Sequence, residues 1–152
     1  MRGRPMIHIA IMKKEWGFLE KILTGQKTIE SRWYKNKYKP WDAIKKGDAV
    51  YFKNSGEPVL IKTQVKKIMQ FSDLSPKKGK EILNAYGKDI GIEKNDIAEF
   101  SRKFRDKKYG ILIFLAKAQK IKPFQIDKKG FGAMASWITV NNIHEIQQIS
   151  QG

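Results

Sequence analysis

The sequence predicts a single α+β domain, residues 1–152, built on a small closed or nearly closed β-barrel with flanking and inserted helices. The length is typical of one domain. Several segments have strand-like patterns and follow one another mostly in hairpin order, with a few helical segments between them. A Rossmann-type fold is not expected, because no glycine-rich phosphate loop follows the first strand and the sequence has no Walker lysine motif.

The first predicted strand covers residues 6–12, where isoleucines at alternate positions place one face in the core. Over residues 14–24 the apolar period becomes helical, and Gly25 ends this helix because a helix C-terminus favours a left-handed residue. Residues 28–33 are rich in β-branched and aromatic side chains and predict the second strand. The basic, aromatic segment 34–41 that follows is predicted to be an exposed loop.

The next predicted unit is a hairpin. Residues 46–48 form a tight turn into a strand at residues 49–53. A second turn at residues 54–58 leads into a long strand at residues 59–69.

Helical patterns then interrupt the strands before the C-terminal part of the domain. Pro76 predicts the start of one helix, and Asn95 is placed to cap a second. The most apolar stretch, residues 109–118, predicts a central strand, and residues 137–140 and 143–149 supply the last extended segments.

The charge is strongly one-sided. The chain has 31 Lys and Arg against 15 Asp and Glu, a formal net charge of +16, so its surface carries a positive field that favours a polyanionic partner. Nucleic acid is favoured over a membrane because the cations are spread along the chain and interleaved with aromatics. Enrichment of lysine for reasons unrelated to a ligand is the alternative.

Composition also excludes several kinds of site. The chain has no cysteine, which rules out disulfides and thiolate zinc sites and suits a reducing, cytoplasmic location. The two histidines, His8 and His144, cannot form a structural zinc site alone, and neither a metal nor another cofactor is expected. The apolar run near the N-terminus is too short for a signal peptide, and no stretch is long enough to span a bilayer.

The segment with the most informative spacing contains Gly25, Lys27, Glu30 and Arg32. Gly25 frees the backbone to turn from the helix directly into the second strand. Strand periodicity then places Thr28, Glu30 and Arg32 on one face, and Lys27 at the strand entry can turn towards them. The segment therefore gathers an ammonium, a carboxylate and a guanidinium group.

This pattern resembles the GxKxxExR signature of the ASCH domain family, a member of the PUA-like superfamily, and every defining position matches. Residues 46–52 and 131–140 are weaker features of the same resemblance. The resemblance implies a small, mixed PUA-like β-barrel with a cleft beside the helix-to-strand turn. It also implies that RNA or a modified nucleotide binds in this basic cleft.

A hydrolase is the alternative function. Some relatives are amidohydrolases acting on N(4)-acetylcytidine, with a threonine nucleophile three residues after the lysine, where this sequence has Glu30. A carboxylate does not replace a deprotonated hydroxyl as nucleophile. A ribonuclease is also known in the family, so Lys27 and Glu30 are candidate catalytic groups as general acid and base. If Glu30 instead pairs with Arg32 and orients it, the site is a binding site, and we favour this interpretation.

A third function class is a structural or interaction protein whose basic surface docks on a larger ribonucleoprotein, or which regulates transcription as a coactivator-like module; which proteins would be its partners is unknown.

Aromatic residues follow the motif directly. Trp33, Tyr34, Tyr38 and Trp41 alternate with lysines in a pattern that could stack unpaired bases. Such residues also commonly pack with one edge in water. Only one or two of them are expected to contact a ligand, and Trp33 is included among the binding residues.

Two further segments are candidates for the cleft walls. Lys53, Asn54 and Ser55 end the third strand and either hold a phosphate or base edge or simply form a turn. Ser136 and Trp137 follow small residues and are predicted to form the opposite wall, with Trp137 stacking on a base or sealing the end of the barrel.

Overall fold

The computed structural model describes residues 3–148. Six strands form one sheet: β1 Ile7–Met12, β2 Ile29–Tyr34, β3 Ala49–Asn54, β4 Val59–Phe71, β5 Tyr109–Phe124 and β6 Trp137–Val140. Three α-helices connect them: α1 Phe18–Thr24, α2 Pro76–Ile90 and α3 Ile97–Lys103. There are also three short 3-10 turns: Lys14–Trp16, Lys94–Asp96 and Ile143–Glu145.

The strands lie in the order β2-β5-β4-β3-β1-β6. β1 runs parallel to β3, and the other neighbouring pairs are antiparallel, so the sheet is mixed. It curls into a half-barrel whose edge strands are β2 and β6. The predicted α+β barrel is confirmed, and its open seam lies between these two strands.

The main core lies between the sheet and the helices. Phe18, Leu19 and Ile22 of α1 are buried, as are Ile82 and Leu83 of α2. They pack against apolar residues of the strands in one cluster. Burying this apolar surface fixes both helices against the half-barrel. The end of α2 lies next to the start of β2, where the Thr28 N–H donates to the Asp89 carbonyl.

The helix predicted at residues 14–24 is wrong in its first part. Gly17 has a left-handed φ of 66°, which separates the 3-10 turn from α1. The apolar period continues across this break, so periodicity alone does not reveal it. The predicted end is confirmed, because Gly25 is left-handed with φ 81° and its N–H donates to the Ile22 carbonyl.

The start of α2 is confirmed: Pro76 is its first residue, and the Ser75 hydroxyl accepts a hydrogen bond from the Lys78 N–H. The predicted cap at Asn95 is wrong. Asn95 lies within the 3-10 turn Lys94–Asp96, and Asp96 is the residue that precedes α3. Because a 3-10 turn comes directly before α3, the residue that precedes this helix lies one position later than the sequence predicts.

The predicted extended segment 143–149 is also wrong over most of its length. The Asn142 side chain accepts from the His144 N–H, and this local bond favours the 3-10 turn Ile143–Glu145 over a strand. Gln147 forms a single bridge with Ile126. Residue 149 lies outside the described residues.

Both long strands exceed their predicted ends. β5 continues to Phe124 instead of ending at residue 118, because it pairs with β4 along almost its whole length. Register shifts along this ladder add curvature to the sheet. No helix within residues 3–148 is long and apolar enough to cross a membrane.

Candidate functional site

Lys27 lies beneath the start of β2 and is almost completely buried, with 1% of its surface exposed. Its Nζ donates to the carbonyls of Ile29 and Ile90, each at 2.7 Å, and lies 2.9 Å from Oε1 of Glu30. Burial lowers the pKa of Lys27 from its ordinary value, and Glu30 opposes that shift. Three acceptors require three N–H donors, which only the ammonium form has, so Lys27 is charged.

Glu30 is buried between two cations. Its Oε1 faces Lys27, and its Oε2 accepts from Nε of Arg32 at 2.9 Å, with Nη2 of Arg32 at the same distance. Burial by itself would raise the pKa of Glu30, but Lys27 and Arg32 outweigh it and lower the pKa below its ordinary value. Glu30 is therefore a carboxylate that joins two cations.

Arg32 crosses the open seam of the half-barrel. Its Nη1 donates to the Ser136 carbonyl at 3.2 Å, just before β6, and its Nη2 reaches the Ile11 carbonyl of β1 at 3.5 Å. The guanidinium lies 5.0 Å from the ring centre of Trp137. One side chain thus connects β2 to β1 and β6.

Trp137 is held from its other side by a buried polar chain. Its Nε1–H donates to Nδ1 of His8 at 3.1 Å, so that nitrogen accepts and the proton of the neutral imidazole lies on Nε2. Nε2 donates to Oδ2 of Asp48 at 2.8 Å. Asp48 also accepts from the N–H groups of Met6 and Lys45. The turn at residues 46–48 is therefore linked through Trp137 to Arg32.

A cavity of about 250 Å³ opens along the free edge of β2. One side is apolar and largely aromatic, and is formed by Trp16, Phe18, Ile90, Ile92, Phe100 and Phe104. The polar groups that line it are on Lys13, Glu30, Ser31, Arg32, Tyr34 and Ser136. The cavity therefore combines flat apolar surfaces with the charged group described above.

The main chain of β2 adds polar groups to the cavity. The Leu115 N–H of β5 donates to the Thr28 carbonyl, and β2 and β5 are antiparallel. Main-chain groups alternate between the two edges of a strand, so those of Glu30 and Arg32 face β5. Those of Ser31 and Trp33, two residues that line the cavity, face the free edge.

Comparison with solved structures identifies the fold. The crystal structure of the ASCH protein from Zymomonas mobilis shares 16% sequence identity with this chain, covering 91% of this chain and 90% of that one with a TM-score of 0.65. A point mutant of the same protein gives 14% identity over 93% and 99%, with a TM-score of 0.64. This chain has the fold of the Zymomonas mobilis ASCH protein. No protein-family model and no curated protein matches it.

Within the ASCH fold, the predicted trio is adjacent: Lys27, Glu30 and Arg32 form one chain of ion pairs. Ser136 and Trp137 lie across the seam and contact Arg32, Ser136 through its carbonyl and Trp137 through its ring. The structure thus places these five residues together at the open seam. Binding by these residues stays a prediction.

Other predicted residues are arranged differently. Trp33 lines the cavity but is buried, and its ring stacks on Phe104 with 4.8 Å between ring centres. Thr28 is exposed and does not line the cavity. Of the other aromatics, Tyr34 lines the cavity, whereas Tyr38 is exposed and packs edge-on against Tyr34.

Lys53, Asn54 and Ser55 lie at the end of β3, outside the cavity lining. The Ser55 N–H donates to the Met12 carbonyl, which ties this turn to the end of β1. Burial, together with the charge of Lys128, lowers the pKa of Lys53. Among the described residues, Lys53 has no ion pair, and Oδ1 of Asn54 is buried without a hydrogen-bond partner.

Several cavity residues were missed at the level of sequence. Tyr34 is not among them, because it was one of the aromatic residues that could stack on bases, and period two places it on the same face as Glu30 and Arg32. Trp16, Phe18 and Phe100 carry no such indication, since an aromatic residue at helical spacing has the same pattern whether it faces the core or a cavity.

Proposed function

We propose that this protein binds RNA or a nucleotide and that an unpaired base enters the cavity at the free edge of β2. The observation that carries the proposal is the cavity itself, which is lined both by aromatic side chains and by the Glu30–Arg32 ion pair. Proteins that recognise single-stranded RNA stack bases on aromatic or guanidinium planes and hydrogen-bond the base edges. Both kinds of group are present in this cavity.

The size of the cavity fits one planar group. Its volume of about 250 Å³ is slightly below the usual range for small-molecule pockets, roughly 300–1,000 Å³. The apolar side offers surfaces for a base ring. The main-chain groups of Ser31 and Trp33 offer both donors and acceptors at the free edge, which suits a base that presents both.

The ion-pair chain orients the polar side of the cavity. Glu30 fixes Arg32 through Nε and Nη2, and Trp137 supports the guanidinium from one face. The Arg32 side chain is 12% exposed, so part of it remains accessible. An arginine already fixed in position loses little conformational entropy when it contacts a base or phosphate.

The basic surface supplies the attraction for the rest of the ligand. Lys13 lines the cavity, and Lys53 lies at the neighbouring end of β3 without an ion pair in the described part of the chain. The net charge of the protein, +16, attracts phosphate groups towards the site.

The hydrolase alternative receives no support from this geometry. A general acid or base must come within hydrogen-bond reach of the reacting group. Lys27 is buried and donates to three protein acceptors, and both oxygens of Glu30 face protein cations. These two residues orient Arg32.

Titration with the four nucleoside monophosphates tests the proposal. The tryptophans in the cavity give a fluorescence readout, and at least one nucleotide is expected to bind. Ser136→Phe places a bulky side chain at the exposed rim of the cavity and should weaken binding at least tenfold. Ser72→Phe, at an exposed position away from the cavity, is the matched control and should bind like the wild type.

The absence of nucleotide binding by the wild-type protein would overturn the proposal. Equal binding by the Ser136→Phe variant would place the ligand elsewhere. Incubation of the wild type and of Glu30→Gln with RNA and with N(4)-acetylcytidine tests the alternative: turnover by the wild type that is lost in Glu30→Gln, under conditions where circular dichroism shows the variant to be folded, would establish a hydrolase.

A further inference from the structure

A second concave surface lies on the strands, away from the cavity. It has a volume of about 360 Å³ and is lined by side chains and backbone of β3, β4, β5 and the turn before β3. The residues that form it include Gly47, Lys62, Thr63, Gln64, Lys117 and Gln119. It shares no lining residue with the cavity at β2. We call it the β4–β5 groove.

The β4–β5 groove is cationic and has no acidic residue in its lining. Neither β4 nor β5 contains an aspartate or glutamate. Together they carry six lysines: Lys62, Lys66, Lys67, Lys117, Lys120 and Lys122. None of these lysines forms an ion pair within residues 3–148.

The backbone of β5 is distorted within the groove. Lys117 has a left-handed φ of 54°, which is unfavourable for a residue with a side chain. The distortion coincides with a register shift, because Gln64 pairs with Ala116 but Lys62 pairs with Gln119. A bulge of this kind redirects a side chain, and here it accompanies the placement of Lys117 in the same groove as Lys62.

We propose that the β4–β5 groove binds the sugar-phosphate backbone of RNA, as a second contact surface in addition to the cavity. Two ammonium groups without carboxylate partners match consecutive phosphates in charge. The amides of Gln64 and Gln119 offer donors and acceptors for phosphate oxygens and 2′-hydroxyls. This inference rests on the proposed function, since it assigns a second surface to the same RNA.

Such a surface contributes affinity without sequence preference, because phosphates are alike along any strand. The cavity at β2 would then select the base. This division predicts that the two surfaces can be disabled separately.

The test uses the full chain and a fluorescein-labelled single-stranded RNA of about twenty nucleotides, with the affinity measured over a series of salt concentrations. The variant combines Lys62→Gln with Lys117→Gln. Loss of two phosphate contacts should reduce the slope of log affinity against log salt by about 1.4 and weaken binding roughly tenfold near 0.1 M salt. Thermal unfolding checks that the variant is folded.

The matched control combines Lys77→Gln with Lys88→Gln, two exposed positions on α2 that produce the same change in net charge. It should retain the wild-type slope. An equal loss of RNA affinity in both variants would show that only the overall charge matters, and it would overturn the proposal that RNA binds in the groove.

Two further outcomes also overturn this inference. One is an unchanged slope in the groove variant, and the other is binding of the protein to phosphatidylserine vesicles but not to RNA. Nucleoside monophosphates separate the two proposals, because they report on the cavity. If the groove variant binds a mononucleotide normally and has an unchanged RNA slope, the groove fails while the cavity stands.

Discussion

Lys27 and Arg32 carry the same charge, but Glu30 holds them in different surroundings. Lys27 is enclosed by protein acceptors, whereas Arg32 extends from Glu30 across the seam to the rim of the cavity. A buried ion pair is costly to desolvate, and removing one partner leaves a charge with no compensation. The geometry of the site thus depends on the carboxylate of Glu30, which pairs with both cations.

Replacing Glu30 with Gln should destabilise the fold by about 3–5 kcal/mol, because Lys27 and Arg32 lose their shared anion in a buried environment. Urea unfolding measures the change. Glu93→Gln is the control, since Glu93 pairs with Lys21 at the surface and surface pairs contribute little. Similar effects of the two substitutions would show that the burial of Glu30 is unimportant.

The lowered pKa of Glu30 also makes stability depend on pH. Above the ordinary value of 4.5 the carboxylate is charged in both folded and unfolded chains, and its stabilising effect is fully present. Below that value the unfolded chain binds the proton first, so the free energy of unfolding falls as the pH drops through the folded pKa. Unfolding between pH 7 and about pH 3 should therefore show the wild-type advantage over Glu30→Gln shrinking in acid. If the free energies of unfolding of the wild type and of Glu30→Gln change with pH in parallel, this prediction is wrong.

At the scale of elements, the end of α2 supports the site. Gly91 ends this helix with φ 96° and ψ 14°, and its carbonyl accepts from Nζ of Lys21. A Cβ at this position would lie 3.3 Å from Cβ of Lys27. The turn at Gly91 therefore determines how closely α2 approaches the buried lysine.

Gly91→Ala should destabilise the protein by about 1–2 kcal/mol, because an L side chain is strained in the left-handed region. Gly79→Ala, inside α2, is the matched control. Its Cβ would meet only Trp33 at 4.0 Å, and alanine in a helix interior is favoured by about 0.5–1 kcal/mol. Thermal unfolding of both variants should therefore give shifts of opposite sign, and a loss of stability in both would contradict the argument.

The elements also show what local pattern can predict. Alternating isoleucines and the glycine after α1 were sufficient for β1 and for the turn into β2, since both depend on nearby residues. The shared face of Glu30 and Arg32 followed from period two for the same reason, whereas Lys27 was placed only at the strand entry. The helical break at Gly17 depends on one left-handed residue, and the turn at Ile143–Glu145 depends on one hydrogen bond to the Asn142 side chain, both within otherwise regular patterns. The aromatic residues of the cavity depend on packing between distant segments.

At the scale of the whole molecule, two distant segments are joined by a chain of polar contacts. Asp48, in the turn before β3, bonds to His8, which accepts from Trp137, and Trp137 supports Arg32. His8 and Asp48 are completely buried. Because interior polar groups are costly when unsatisfied, this chain favours one arrangement of β1, β3 and β6.

Asp48→Asn tests this connection. An amide offers N–H groups where Asp48 now accepts from Met6, His8 and Lys45, so the variant should lose about 1–3 kcal/mol of stability. It should also change the fluorescence of Trp137 in the folded state. The control is Asp89→Asn, at an exposed position on α2, for which no change is expected. Wild-type stability in Asp48→Asn would show that the turn is not coupled to the seam.

The open edge of β2 has a further consequence. An unpaired strand edge is a template for pairing with another chain, and proteins protect such edges by keeping them short, charging them or covering them. β2 has only six residues and carries Glu30 and Arg32, while aromatic residues from neighbouring helices lie beside it. The cavity is wide enough for a flat ring, but a strand approaching β2 would collide with the aromatic side chains that line the cavity. These features therefore protect the unpaired edge of β2 against pairing with another chain.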